Sequence, residues 1–540
     1  MTGPDHLIIA PILIPLVMGA IMLLYDESQR RAKLVMSLVS TVALLAVAIV
    51  LVWRSSGSPT TDVGVYLLGD WPVPVAIVLV LDRLSALMLL LGALLAVPTL
   101  VYSAAGWYRQ GQHFHSLFQF FLMGLNGTFL TGDLFNLFVF FEILLAASYG
   151  LLLHGSGRVR VLAGLHFIAI NLAASVFFLI AVSLIYGLTG TLNMADLVGH
   201  VRSLSDAQRP LFHVAIAFLG LVFLVKAAIW PLCFWLPSAY GAGSAPVVAM
   251  FAIATKVGIY AILRLSMLLI GPEAGPSTGF GAQALMVGGL ATIVFGTLGA
   301  LASQALGRIT AHLLLISSGT VLAAVGFALV GSGPGILAGG LFYLVGSTLA
   351  TGALFLLAEP MARGAGGAAG MLALTEEVYG AEAEGDEDVE PEFGYAISGS
   401  IAVIGLSFGI CCILLAGLPP LPGFLGKFAM VDAIFRVDAN VTPAAWWFLG
   451  ILFVSGFATL VALARFGMQT IWAAEEQSPP ILVLEIAPII ALIGLTLLLT
   501  VKADAVMSYI DDTARALTRP ALYVDGVFHT PRMREQGQGE

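Results

Sequence analysis

Five lysines stand against eighteen arginines in this chain, and three of the five, Lys226, Lys256 and Lys427, lie in or against long apolar runs. An ammonium group at the centre of a bilayer costs roughly 2.5–3.5 kcal/mol on insertion scales, so each of the three demands a partner, water or a task. The stretch GDLFNLFVFFEILLAASYG offers an opposite charge in Glu142. On a helix, Leu145, Ala146, Tyr149 and Gly150 share its face, and the small ones leave room for another helix or for water. Asp133, nine residues earlier and half a turn out of phase, reads as a helix cap.

Such a set suits proton movement. Burial disfavours a charged amine and a nearby carboxylate favours it, so making or breaking a Glu142–Lys226 contact loads or unloads a proton. The competing reading, fixed pairs that only hold helices together, is the weaker one because buried ion pairs add little net stability. His312, in LGRITAHLLLISSGTVLA with Ser317, Ser318 and Thr320 after it, could hand a proton from Lys256 to Lys427; a hydrogen-bonded core histidine is the equal alternative.

The elements that must position these groups are membrane helices. Only 10% of the residues are charged and 59% are hydrophobic, with mean hydropathy +0.99, whereas soluble domains carry about 25% charge. The expected fold is therefore an all-α integral membrane protein with about fourteen transmembrane helices, the spans starting near residues 6, 34, 77, 113, 133, 162, 211, 244, 279, 309, 335, 395, 445 and 480. Arginine and lysine favour the loops after odd-numbered spans. The positive-inside rule then makes those loops cytoplasmic and leaves both termini outside, against the basic tail Arg515, Arg519, Arg532 and Arg534.

Two spans are expected to break. FLVKAAIWP places Lys226 five residues before Pro231, and WPLCFWLPSAYGAGSAP continues with further prolines and glycines. Backbone carbonyls freed in this way persist in a bilayer only inside protein or along a hydrated cavity, which puts water near Lys226. GLPPLPGFLGKFAM repeats the device in span 12 with Pro419, Pro420 and Pro422 ahead of Lys427, as an internal repeat in reversed order would. The expected organisation is helices 1–3 over 1–110, two inverted five-helix repeats over 111–270 and 277–470, and helix 14 with an amphipathic tail over 471–540.

Other features carry less chemistry. The stretch 375–393 holds nine of the 32 acidic residues and accounts for the net charge of −9; it reads as a solvated connector rather than a cation antenna. GAGGAAG before it follows a membrane helix rather than a strand and is no dinucleotide fingerprint. The three cysteines have no metal-like spacing. No zinc-type pair, phosphate loop, haem or iron–sulfur spacing occurs, so no cofactor is expected, and no signal peptide is evident. The segment KADAVMSYIDDTARALTRPALY is expected to form an amphipathic helix, with Val506, Tyr509, Ile510, Thr513 and Leu517 on one side, lying on the membrane or on a partner.

On these residues the chain resembles the family shared by multisubunit Mrp cation/proton antiporters and the proton-pumping membrane subunits of respiratory complex I. TGDLFNLFVFFEILLAASYGLL, WPLCFWLPSAYGAGSAPVVAMFAIATKVGIYAILR and the closing RPALYVDGV resemble the D-type subunit of the Mrp branch. The resemblance implies a glutamate–lysine pair at Glu142 and Lys226, and a polar axis continued along the midplane by Lys256 and Lys427. It also implies companion subunits (A, B, C, E, F and G), H⁺ and monovalent cations, Na⁺ foremost, as cargo, and a multi-pass place in a bacterial cytoplasmic membrane with no nucleic-acid partner. Family members commonly carry a histidine in patterns such as YLVHS, where this chain reads YLVGS with Gly346, so water or His312 would have to bridge that step. The alternative function is the pumping arm of a quinone- or hydrogenase-linked redox complex. Lysine rather than glutamate in span 12, and no long lateral helix after span 14, weigh against it.

Overall fold

The computed structural model describes residues 6–57, 63–378, 399–437, 442–471 and 482–530, without the side chains of 364–378, 400 and 471. Two helices, α1 (Ala10–Leu23) and α2 (Arg30–Ser55), lead into an antiparallel hairpin of β1 (Gly64–Leu67) and β2 (Val78–Leu81), in which Gly64 faces Leu81. The helices α3 (Arg83–Ser103), α4 (Phe114–Leu130), α5 (Leu134–Leu152) and α6 (Arg158–Thr189) follow, then the short α7 (Met194–Ser203). A broken pair comes next, α8 (Arg209–Lys226) and α9 (Leu236–Ala242), and then α10 (Ala245–Leu269), α11 (Ala282–Ala302), α12 (Leu306–Leu329) and α13 (Pro334–Val378). A second broken pair, α14 (Gly399–Ala416) and α15 (Pro422–Val437), precedes α16 (Pro443–Ile471) and α17 (Val483–Val501). The chain closes with α18 (Ala503–Leu517) and α19 (Pro520–Phe528).

Eleven helices among the described residues are long and apolar enough to cross a membrane, and Ala10–Leu23 and Ile401–Ala416 are shorter apolar helices. The helices sort by burial. The central windows of α10, α12 and α13 are each 94% buried, against 33% for α8, α17 and the span containing α2. A lysine on α10 is therefore surrounded by protein on every side, whereas the peripheral helices present apolar faces outward, as Leu165, Leu172 and Val176 do on α6. Asp133 caps α5, its carboxylate accepting from the Asn136 amide at 2.8 Å, which is the role its position in the sequence predicts. Cys233, Cys411 and Cys412 are buried free thiols.

Both breaks fall at the prolines. The first interrupts α8 after Lys226 and resumes at Leu236; the second interrupts α14 after Ala416 and resumes at Pro422. The tail helix forms as expected, with Ile510, Thr513 and Leu517 buried, and that face packs on this chain's own helices α3, α10, α13 and α17. The acidic stretch over 379–393 lies outside the described residues.

Candidate functional site: a polar seam through the helix core

Glu142 sits in the middle of α5 and accepts a short hydrogen bond from Ser175 Oγ on α6; the same hydroxyl donates to the Asn171 carbonyl at 3.0 Å. Asn171 and Ser175 are polar residues one helical turn apart in a mostly apolar span, a signal the sequence carries but hydropathy alone passes over. Lys226 is the last residue of α8, its Nζ 5.4 Å from the centroid of the Phe141 ring, immediately before Glu142. The carboxylate and amine feel each other's charge without a direct ion pair, the ring standing beside the amine.

A cavity of about 40 Å³ lies beside Lys226 and reaches Thr255, the residue before the next lysine; Ser148, Asn171 and Tyr240 are among its other lining residues. That volume admits about two or three waters, and within a mostly apolar lining Ser148, Asn171, Lys226, Tyr240 and Thr255 are the polar groups that could bind them. Lys256, fully buried on α10, directly follows Thr255. The two lysine neighbourhoods are pressed together at Gly258, where a Cβ would stand 2.7 Å from the Ala227 amide nitrogen and 2.8 Å from the Phe223 carbonyl oxygen. Only glycine lets α10 cross the break of α8 this closely.

The Lys256 amine donates to Ser317 Oγ at 2.8 Å and Ser318 Oγ at 3.1 Å on α12, and Ser317 Oγ lies 2.7 Å from Ser347 Oγ on α13. One turn before Ser347, the Tyr343 ring carries the Lys427 amine over its face at 5.7 Å from the centroid. Ser347 and Tyr343 escaped sequence reasoning, because hydroxyls are common in membrane helices and only packing shows which face inward. Lys427 Nζ also reaches the carbonyl oxygen of Ala416, the last residue of α14, at 3.4 Å. Both break-associated amines thus lie at the C-terminal end of an interrupted helix, where free carbonyls and the negative end of the helix dipole favour a cation.

His312 faces elsewhere. Its ring packs toward α11 beside Phe295, in a space that exists because residue 299 is glycine; a Cβ there would come within 2.2 Å of the imidazole. Its Nδ1 is buried without a hydrogen-bond partner, and neither Lys256 nor Lys427 bonds to it. Gly346 lies against Pro422 at the second break, with a Cβ there 3.2 Å from the proline Cβ. Glu359 accepts from the Ala245 amide at 2.8 Å and from Trp107 Nε1 at 2.6 Å. It therefore caps the start of α10 rather than joining the lysines, and Pro231, Pro419 and Pro420 lie in the two breaks while Pro422 begins the helix after the second.

The chain is 50% identical over 98% of its length, and 99% of the relative's, to a protein of Rhizobium meliloti (strain 1021) named as the D-type subunit of a probable K(+)/H(+) antiporter. It belongs to the family of D-type Mrp antiporter subunits. Another D-type relative, from the Na(+)/H(+) antiporter of Alkalihalophilus pseudofirmus, is 31% identical over 97% of this chain and 99% of its own. A chain in the structure of the Mrp complex from Dietzia sp. DQ12-45-1b superposes with a TM-score of 0.79 at 27% identity, covering 97% of this chain and all of that one. Residues 131–376 match the model of the NADH:quinone oxidoreductase/Mrp antiporter transmembrane family. That segment of the Mrp antiporter subunit contains Glu142, Lys226, Lys256 and His312, while Lys427 lies beyond it.

Proposed function

We propose that this cation/proton antiporter subunit moves H⁺ along the seam from Glu142 and Lys226 through Lys256 and its serines to Lys427, with His312 as a flanking proton site on α12. The observation that carries the reading is the water-sized cavity from Lys226 to Thr255, followed by the hydrogen bonds of Lys256 to Ser317 and Ser318. An amine held by neutral hydroxyls rather than by a carboxylate can exchange its proton without breaking a buried ion pair. The Glu142–Lys226 pair, adjacent but not locked together, serves as the gate.

The subunit acts as a secondary transporter rather than an enzyme, in a bacterial cytoplasmic membrane with both termini outside, beside companion subunits of the Mrp type (A, B, C, E, F and G). Fourteen spans in two inverted repeats match the paired breaks. Proton movement is coupled to export of a monovalent cation; the name of the Rhizobium relative makes K⁺ the first to compare with Na⁺ and Li⁺. The test is cation-driven dissipation of a pH gradient in vesicles holding the assembled complex. Glu142→Gln should abolish exchange for all three ions while assembly persists, and retained exchange would overturn the reading.

A further inference from the structure

The closing RPALYVDGV stretch has no part in the seam, yet its tyrosine is buried against a charged pair at one end of it. Lys256, Tyr260 and Arg264 follow one another at four-residue intervals on α10 and so form one ladder. Tyr260 donates to the Phe129 carbonyl at 2.7 Å, and Arg264 Nη2 donates to the Tyr260 hydroxyl at 3.3 Å. Arg264 clasps Asp82 with both terminal nitrogens, one contact at 2.7 Å, while Asp82 caps α3 through the Ser85 amide. The guanidinium lies between two rings, Tyr260 at 5.5 Å and Tyr523 of α19 at 5.3 Å. Tyr523 is 6% exposed, and its hydroxyl fills the space beside Gly132 at the turn between α4 and α5. A cavity remains between Asp82, Arg264, Thr513, Leu517 and Tyr523.

We propose that Tyr523 is a positioning residue that holds Arg264 on Asp82 and thereby seals the tail-side end of the Lys256 ladder against water. The inference rests on the antiport reading above, since it gives the seam an end that must stay shut between transport events. The chemistry follows from the sandwich. A guanidinium pressed between two aromatic faces is held by cation–π attraction as well as by the carboxylate, and cannot swing into the cavity beside it. Without the Tyr523 ring that cavity enlarges on the side of Arg264, and water gains a route to Tyr260 and the amine one turn further in. The remaining tail contacts, Arg83 to Asp512 at 2.8 Å and the Tyr509 hydroxyl to the Arg83 carbonyl at 2.9 Å, fasten α18 independently of Tyr523.

The experiment imposes a pH gradient on vesicles containing the whole complex in buffer free of Na⁺, K⁺ and Li⁺, and measures its passive collapse. Tyr523→Leu, which fills much of the volume without a ring, should raise proton leak about fivefold, the factor given by losing one cation–π contact, and Asp82→Asn, which keeps the cap but removes the charge of the ion pair, should raise it at least as much. Tyr523→Phe should leak no more than the parent. Adding Lys256→Met to either leaky variant should return the leak to the parent level, which mere loosening of the tail would not do. Unchanged leak in both variants, leak that survives Lys256→Met, or equal leak from Tyr523→Phe overturns the proposal; if Tyr523→Leu fails to assemble, Asp82→Asn decides. Exchange retained by Glu142→Gln would instead remove the antiport reading, and the two failures are read on different assays.

Discussion

Lys427 and Ala416 meet across a helix break: the amine of α15 lies 3.4 Å from the last carbonyl oxygen of α14. Lys226 is itself the last residue of its interrupted helix, α8. In both halves the interrupted helix supplies a carbonyl-rich, dipole-negative terminus that favours a cation, and in the first half Glu142 adds a carboxylate.

If release of the proton matters, rather than the presence of positive charge, Lys427→Arg and Lys427→Met should behave alike. A guanidinium stays protonated at every accessible pH. Both variants should lose exchange to the background of vesicles lacking the complex, with companion subunits still copurifying. Parent-level exchange in the arginine variant would show that Lys427 is a fixed charge.

Ser317 bridges Lys256 to Ser347. Replacing Ser317 by alanine removes a hydrogen bond to a charged donor, worth about 1.5 kcal/mol, which is roughly tenfold in rate if the bond lies on the path. Initial exchange rates should fall by about that factor at unchanged complex yield. A Ser317→Ala rate equal to the parent's would take the hydroxyl off the route.

Gly258 is a point of close approach between α10 and the first break. A methyl group there would stand 2.7 Å from the Ala227 nitrogen, which belongs to backbone and cannot rotate away. Gly258→Ala should therefore destabilise the subunit by about 1–3 kcal/mol, seen as a lower thermal midpoint of the purified complex and weaker exchange. An unaltered midpoint would mean that the two helices cross with room to spare.

The tail should stay docked across the physiological pH range. Burial works to raise the Asp82 pKa, but Arg264 and the Ser85 hydrogen bonds outweigh it and hold the carboxyl below its ordinary value. Asp512 is likewise lowered, by its bond to Arg515 and by Arg83. A carboxylate depressed in this way contributes its stabilisation fully above its undocked pKa of about 3.9, and loses it only as pH falls through the lower docked value. Hydrogen exchange of the α18 and α19 amides, corrected for intrinsic rates, should show equal protection at pH 5, 7 and 9. Protection lost at pH 5 would place a different titrating group under the tail.

How far the sequence reaches is visible in particular residues. The scarcity of lysine marked Lys226, Lys256 and Lys427, and the proline clusters located both breaks, because charge in an apolar run and proline in a helix each have one dominant physical consequence. Asp133 was legible as a cap for the same reason. What periodicity does not convey is which side of a fully buried helix meets which neighbour. On α12, buried all round, nothing in the sequence tells that Ser317 turns to Lys256 while His312 turns to α11. The hydroxyl route and the seat of the tail both depend on such facing, and both emerged only with the packing. Arg264 and Asp82 lie far apart in the chain, and their pairing is a property of the fold.

The central claim is that a fully buried amine, Lys256, carries protons between the two halves of the subunit. Its most direct measurement is cation-driven collapse of a pH gradient in vesicles containing the complex with Lys256→Met. Complete loss of exchange for Na⁺, K⁺ and Li⁺, with the companion subunits still assembled, is the predicted result; exchange at the parent rate would contradict the account.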